Sequence, residues 1–371
     1  MTEERLALAV PSLTGLERDN VLDAVDSTWI SSNGRYLAEF ETRFAEVAET
    51  REALAVTSGT VALHLALLAL DAGPGDEVIV PSLTYIATAN AVRYVGATPV
   101  FVDVDRRTWC LDPDHVAASV NSKTVGIIAV DLYGHPADYE RLEHIADKHG
   151  LWLLEDAAEA PFATYMGRAA GSFGTASTFS FYGNKVLTSG EGGAIGVSDP
   201  DLGARMRLIR GQGMDPDRRY FFPVIGHNFR LTNVAAAILC AQLQRAPDLL
   251  ASRRQVFHWY DEALGDVTGL AHQQVSTDVS LSPWLYSVLV TDSFPISRDE
   301  LADELESSGI ETRPFFIPIH TLPPYQDSAH LDLPVTTLLG AQGLNLPTHP
   351  GITESDVNRV VAGIRRAAGG I

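Results

Sequence analysis

Through the first two-thirds of the chain, short apolar runs alternate with stretches whose apolar positions recur at helical spacing. Runs over 53–57, 77–81, 99–104, 125–131, 151–156, 176–182 and 194–197 have the length and composition of strands. Between most of them lie patterns such as 139–149, where Leu142, Ile145 and Ala146 fall on one helical face. This alternation predicts an α/β layer with a largely parallel sheet, whose ligands bind outside the carboxyl ends of the strands. Within 176–182, hydroxyl and aromatic side chains alternate at strand period, so Thr178, Ser180 and Tyr182 share a face opposite Phe179 and Phe181.

From about residue 249 the pattern changes to a helix over 252–264, a polar stretch over 272–282, a strand over 284–290, and helices over 298–308 and 354–367. Ser297 and Thr353 are hydroxyl caps followed by acids in the first turn. The expected organisation is an N-terminal segment and large α/β domain over 1–248, followed by a smaller α+β domain over 249–371. There is no internal repeat, low-complexity tract or long flexible linker to separate the two.

A chain of 371 residues with 46% hydrophobic content supports a large core. Its two cysteines, Cys110 and Cys240, form no CxxC or Cys/His cluster, so neither a disulfide framework nor a zinc site is indicated. The stretch from Met1 to Arg5 lacks the basic and apolar regions of a signal peptide, and no apolar run approaches bilayer length. A soluble, cytoplasmic protein is the expectation. A net charge of −20 opposes non-specific attraction to nucleic acid or an anionic membrane. An anionic substrate would need locally placed Arg or Lys.

The chemistry centres on Lys185, which sits in Ser180-Phe181-Tyr182-Gly183-Asn184-Lys185 ahead of Gly190-Glu191-Gly192-Gly193, downstream of a strand ending Glu155-Asp156. A lysine after a strand, a glycine-rich turn and an acid at an earlier strand end are the parts of a pyridoxal phosphate (PLP) site. The amine forms a Schiff base with the cofactor aldehyde, and the carboxylate keeps the pyridine nitrogen protonated. At Thr57-Ser58-Gly59-Thr60 a strand gives way to an apolar helix, and the free N–H groups of its first turn suit a phosphate, as does Ser180. Tyr85, near the start of the next helix, offers a ring to stack on a pyridine, although core burial would equally explain a tyrosine there. Asp156 ends a continuous apolar strand, a costly place for an unpaired charge. Glu159, three residues on, is placed either to reach a phenolic oxygen or to lie solvated at a helix start.

The wording of Ser58-Gly59-Thr60-Val61-Ala62-Leu63-His64, residues 81–90, Leu132-Tyr133-Gly134-His135-Pro136, residues 155–160, residues 179–193 and Asn228-Phe229-Arg230-Leu231-Thr232-Asn233 resembles the DegT/StrS-type sugar-nucleotide aminotransferases over nearly the whole chain. The resemblance implies the fold-type I PLP-dependent aminotransferase architecture and a homodimer with shared active sites. It assigns Lys185 to the Schiff base, Asp156 to the pyridine nitrogen, Glu159 to the phenolic oxygen, Tyr85 to ring stacking, and Gly59, Thr60 and Ser180 to the phosphate. Asn228 would reach the phosphate in the neighbouring subunit, while Arg230 and His320 are candidate substrate contacts. The implied substrates are a keto sugar nucleotide and L-glutamate. Residues 27–34, 155–160, 313–316 and 320–323 are most similar to members that aminate GDP-4-keto-6-deoxy-D-mannose at C4; residues 220–227 depart from that wording. A 3-keto isomer and a dTDP- or UDP-linked sugar are the alternatives.

Related 3-dehydratases carry histidine where this chain has Lys185. Cys110 and Cys240 lie in apolar settings, unlike the mobile-loop cysteine of a desulfurase. No GxGxxG follows the first strand, and Gly183-Asn184-Lys185 lacks the spacing of a P-loop. A PLP-binding regulator is a distant alternative that no helix-turn-helix extension or basic patch supports.

Overall fold

The structure, a computed structural model, describes residues 5–369; the expectation attached to Met1 through Glu4 lies outside them. Its centre is a seven-stranded sheet made of β1 (Glu52–Val56), β2 (Glu77–Pro81), β3 (Thr98–Val102), β4 (Thr124–Val130), β5 (Trp152–Asp156), β8 (Ala176–Ser180) and β9 (Gly193–Val197). A hairpin of β6 (Thr164–Tyr165) and β7 (Arg168–Ala169) interrupts the series, and the sheet order is β1-β9-β8-β5-β4-β2-β3. Strands β2, β3, β4, β5 and β8 pair in parallel, whereas β9 runs antiparallel between β1 and β8. The architecture is the α/β fold expected of a fold-type I aminotransferase, with a mainly parallel sheet.

Helices α1 (Gly15–Asp26) and α2 (Arg35–Val47) precede the sheet, and α3 (Gly59–Ala69), α4 (Ala87–Tyr94), α5 (Pro113–Ser119), α6 (Tyr139–His149) and α7 (Pro200–Arg210) connect or follow its strands. Helix α6 occupies the expected span: Asp138 caps its start, Gly150 ends it with φ +65°, and Leu142, Ile145 and Ala146 are buried. The aromatic side of β8 packs on α2, with Phe44 meeting Phe179 at 4.8 Å and Phe181 at 5.2 Å, both edge to face. Burying that side leaves Ser180 and Tyr182 toward the ligand edge.

Helix α8 (Asn233–Leu264) spans 32 residues and runs through position 248. It joins the apolar helix around Cys240 to the helix expected over 252–264, running through Pro247, a residue that usually breaks a helix by removing an amide donor. Here the buried stripe of Leu239, Leu243, Ala246, Leu249 and Leu250 continues on both sides of the proline, and packing maintains the helix. Beyond it, β10 (Leu270–His272), β12 (Tyr286–Val290), β13 (Arg313–Pro314) and β14 (Gly343–Leu346) form a second, antiparallel sheet in the order β10-β12-β14-β13, while the short β11 (Val279–Ser280) pairs with β6. Helices α9 (Arg298–Ser307), α10 (Pro334–Gln342) and α11 (Glu354–Ala367) accompany that sheet. Arg253 of α8 donates to the carbonyls of Trp284 (2.8 Å) and Thr348 (3.2 Å), pinning the second sheet's approach segments to the long helix.

Two carboxyls are buried behind the ligand edge. Asp131, just after β4, accepts from the Ala137 N–H at 3.0 Å and the Tyr139 hydroxyl at 2.7 Å; Glu155 on β5 accepts from the N–H groups of Gly171 (2.7 Å) and Phe173 (3.1 Å). Burial raises both: Asp131 to about 7, with the charge of Asp156 adding to the rise, and Glu155 well above the ordinary range, with the charge of Asp131 adding to it. Carboxyls raised in the folded state stabilise it fully below the unfolded pKa of about 4, and the contribution is lost as pH rises through about 7. Between pH 5.5 and 8.5 the melting temperature of the wild type should therefore fall roughly 2–4 °C more than that of Asp131→Asn, which cannot ionise at one of the two positions. Parallel melting curves over that range would show that the pair does not couple to folding.

Candidate active site

Lys185, Asp156, Glu159, Tyr85, Gly59, Thr60 and Ser180 converge on one cavity of about 630 Å³ at the carboxyl edge of the large sheet. Strand geometry explains the meeting. Asp156 is the last residue of β5 and points opposite to Glu155, as alternation requires. The chain then turns so that Ala157 N–H bonds the Thr178 carbonyl of the neighbouring β8 at 2.9 Å, which brings Glu159 back over the strand ends.

Asp156 is buried, with one carboxylate oxygen 2.8 Å from the Thr88 hydroxyl and the other 3.3 Å from the Ala158 N–H. Burial raises its pKa; the Thr88 and Ala158 donors, the charge of Lys185 and the Thr178 hydroxyl oppose that rise. Glu159 is equally buried and accepts from the Tyr133 N–H at 2.8 Å. Burial raises its pKa too, against the pull of Lys185. Tyr133 donates from a left-handed backbone (φ +54°), and Gly134 follows at φ +89°, where a Cβ would lie 2.0 Å from the Ser282 carbonyl oxygen. The turn after β4 is thus shaped to aim one amide at Glu159.

The Lys185 Nζ stands 3.6 Å from Glu159 Oε1 and 3.8 Å from the ring centre of Trp284. Burial lowers its pKa, Glu159 and Asp156 act in the opposite direction, and Arg313 adds to the lowering. An amine with a depressed pKa, enclosed with two carboxyls, is suited to nucleophilic attack and to carrying a proton.

The other end of the cavity has a geometry that suits an anion. Ser58 caps α3 by accepting from the Val61 N–H at 3.2 Å, and Gly59 and Thr60 open the helix, where amides have no carbonyl one turn earlier. A Cβ on Gly59 would lie 2.9 Å from the Ser180 Cβ and 3.3 Å from its hydroxyl oxygen. Only glycine allows the helix start and the end of β8 to close together around an anion. The exposed ring of Tyr85, 59% accessible, meets Phe316 at 5.9 Å and leaves a face toward the cavity. An anion-suited helix start, a buried acid without a cationic partner on its own strand, and an enclosed lysine in the same cavity match the donors and acceptors of PLP.

Three expected residues do not line this cavity. Asn228 is exposed and bridges Gly211. Arg230 has its backbone bridged to Val56, and its Nε is buried without a partner. His320 is buried, with Nδ1 2.7 Å from the Ser82 hydroxyl, while its backbone N–H donates to that same oxygen at 3.1 Å. It fastens the segment after Pro318 to the end of β2. Thr88, Tyr133, Arg313 and Phe316 lie inside the longer motifs, with nothing local to mark their individual roles, and Trp284 joins the cavity wall from outside them. For Trp284 no local spacing signal exists, since 100 residues separate it from Asn184, whose carbonyl accepts its indole N–H at 2.8 Å.

The family model described as the DegT/DnrJ/EryC1/StrS aminotransferase family matches residues 11–365. The GDP-perosamine synthase of Caulobacter vibrioides is 49% identical over 97% of both chains. That of Escherichia coli O157:H7 is 44% identical over 94% of both. Among solved structures, DesI in the presence of its TDP-sugar product superposes with a TM-score of 0.92 at 35% identity, over 99% of this chain and 93% of that one.

Gly59→Ala tests the anion-suited end directly. Because its new methyl group must displace Ser180 or the helix start, affinity for PLP should fall about tenfold or more, with the melting temperature of the cofactor-free protein changed by no more than about 4 °C. Titration of the cofactor-free protein by absorbance checks this; unaltered affinity would remove the phosphate from this end of the cavity.

Proposed function

We propose that this chain, which belongs to the DegT/DnrJ/EryC1/StrS aminotransferase family and is a PLP-dependent sugar aminotransferase, moves the amino group of L-glutamate to C4 of GDP-4-keto-6-deoxy-D-mannose, giving GDP-perosamine and 2-oxoglutarate. The carrying observation is the near full-length identity of 49% and 44% to two GDP-perosamine synthases. A second reading, a TDP-linked keto sugar, draws on the 35% identity to DesI and its TDP-sugar product.

When bound, PLP supplies an aldehyde that condenses with amines and a ring that accepts an electron pair. The roles we assign to this chain's residues follow from their positions. Lys185 provides the enclosed amine and moves the proton at its Nζ. Asp156, held by Thr88, stabilises a proton on the pyridine nitrogen, and Glu159, held by the Tyr133 amide, takes the phenolic oxygen. Tyr85 covers the ring. Gly59, Thr60 and Ser180 hold the phosphate. Neither substrate meets the reacting atoms without displacing water from a cavity walled by Trp284, Tyr85 and Phe316, and exclusion of water strengthens each of these polar contacts.

The same reading takes the working form to be a cytoplasmic homodimer in which Asn228 enters the partner's site. Its support is a set of large apolar side chains left open to solvent: Ile225 is 90% accessible, Tyr220 71% and Trp29 58%. Among the described residues no helix is long and apolar enough to cross a membrane.

Incubation with PLP, L-glutamate and a panel of GDP-, TDP- and UDP-linked 4-keto-6-deoxy sugars, with the new amine located by NMR, tests the substrate. The GDP sugar should be aminated at C4, and Lys185→Ala should abolish the reaction. Amination of the TDP sugar alone would transfer the assignment to the second reading. Light scattering should give twice the chain mass of 40.1 kDa, and a stable active monomer would refute the shared site.

A further inference from the structure

Trp284 has three attachments that lead to one atom. Its carbonyl is held by Arg253, its indole N–H donates to the Asn184 carbonyl at 2.8 Å, and its ring face lies 3.8 Å from the Lys185 Nζ. The residue is 3% exposed, so the ring has little freedom to turn away. The Tyr133 ring stacks beside it at 6.1 Å, inclined by 23°. An indole gripping the peptide just before a lysine, while presenting its negative face to that lysine's amine, fixes both ends of the side chain.

The amine has two chemical duties in transamination that pull in opposite directions. It attacks as a neutral nucleophile and also carries a proton as an ammonium, so its resting place must tolerate both states. Glu159 and Asp156 favour the charged form, while burial and Arg313 favour the neutral one. An aromatic face attracts the cation without a full counter-charge, and without forming an ion pair that would have to be broken before attack.

We propose that Trp284 is a positioning residue for the aminotransferase reaction: its face is the seat of the free Lys185 amine, and its N–H fixes the backbone that carries it. The proposal rests on Lys185 being the reacting lysine. It places part of the catalytic geometry in the segment leading into β12, coupled through Arg253 to α8.

The test is the pH titration of Lys185 in cofactor-free full-length protein, read as the rate of labelling by an amine-reactive reagent at that residue by peptide mass spectrometry. Trp284→Leu, which keeps the site apolar, should shift the titration down by about one pH unit, and Trp284→Phe, which keeps a ring, by less than half of that. In the holoenzyme, Trp284→Leu should lower kcat about tenfold with the KM for glutamate within about twofold, and Trp284→Phe should restore most of the loss. Titrations and kcat values that match the wild type would overturn the proposal. If Trp284→Leu does not fold, the wild-type chain grown with fluorotryptophan, whose ring face is less negative, must show the same downward shift, and an unmoved titration again overturns the idea. Added PLP should protect Lys185 from labelling. Failure of protection counts against the cofactor assignment itself, whereas protection with an unmoved titration counts against Trp284 alone.

Discussion

A carboxylate buried at the end of β5 is the constraint around which the rest is arranged. Asp156 has donors from Thr88 and Ala158, but no cation packed against it on its own strand. A group in that position is neutralised unless a positive charge faces it across the cavity. In the proposed reading, a protonated pyridine nitrogen would supply that charge, and the charge would stabilise the electron-rich ring that transamination requires.

The parallel sheet makes this affordable only at its carboxyl edge, where loops after β1, β2, β4, β5 and β8 open toward one space. The start of α3 and the end of β8 meet closely at Gly59, while β5 carries the acid at its own end; in the proposed reading these would take the two ends of the cofactor. The antiparallel β9 serves the same space: a Cβ on Gly193 would lie 2.5 Å from the Ser58 carbonyl group, so the strand after the glycine-rich turn must begin with glycine for the α3 start to settle. Net charge of −20 does not conflict with anionic substrates, because the cavity holds Lys185 and Arg313 close to the reacting position.

Much of this was legible because it is local. Strand period and apolar runs located the seven central strands to within about two residues, and the lysine, acid and glycine motifs sit at strand ends that such patterns mark. What was hidden depends on contacts far apart in sequence. The antiparallel sense of β9 follows from its pairing with both β1 and β8, not from its own residues. The continuity of α8 through Pro247 is another such feature, the local cost of the proline being overcome by a buried stripe. The contact of the His320 Nδ1 with the hydroxyl of Ser82, 238 residues earlier, carries no local signal. Trp284 carries no motif at all, and its importance appears only when β12's approach segment is folded against Asn184 and Lys185.

The most direct test of the central claim is to reduce the protein with borohydride in the presence of PLP and map the pyridoxyl tag by peptide mass spectrometry. The account predicts a single tag on Lys185, lost when Asp156 is replaced by alanine at limiting cofactor because the ring is no longer held. A tag on another lysine, or none on a folded protein saturated with cofactor, would contradict it.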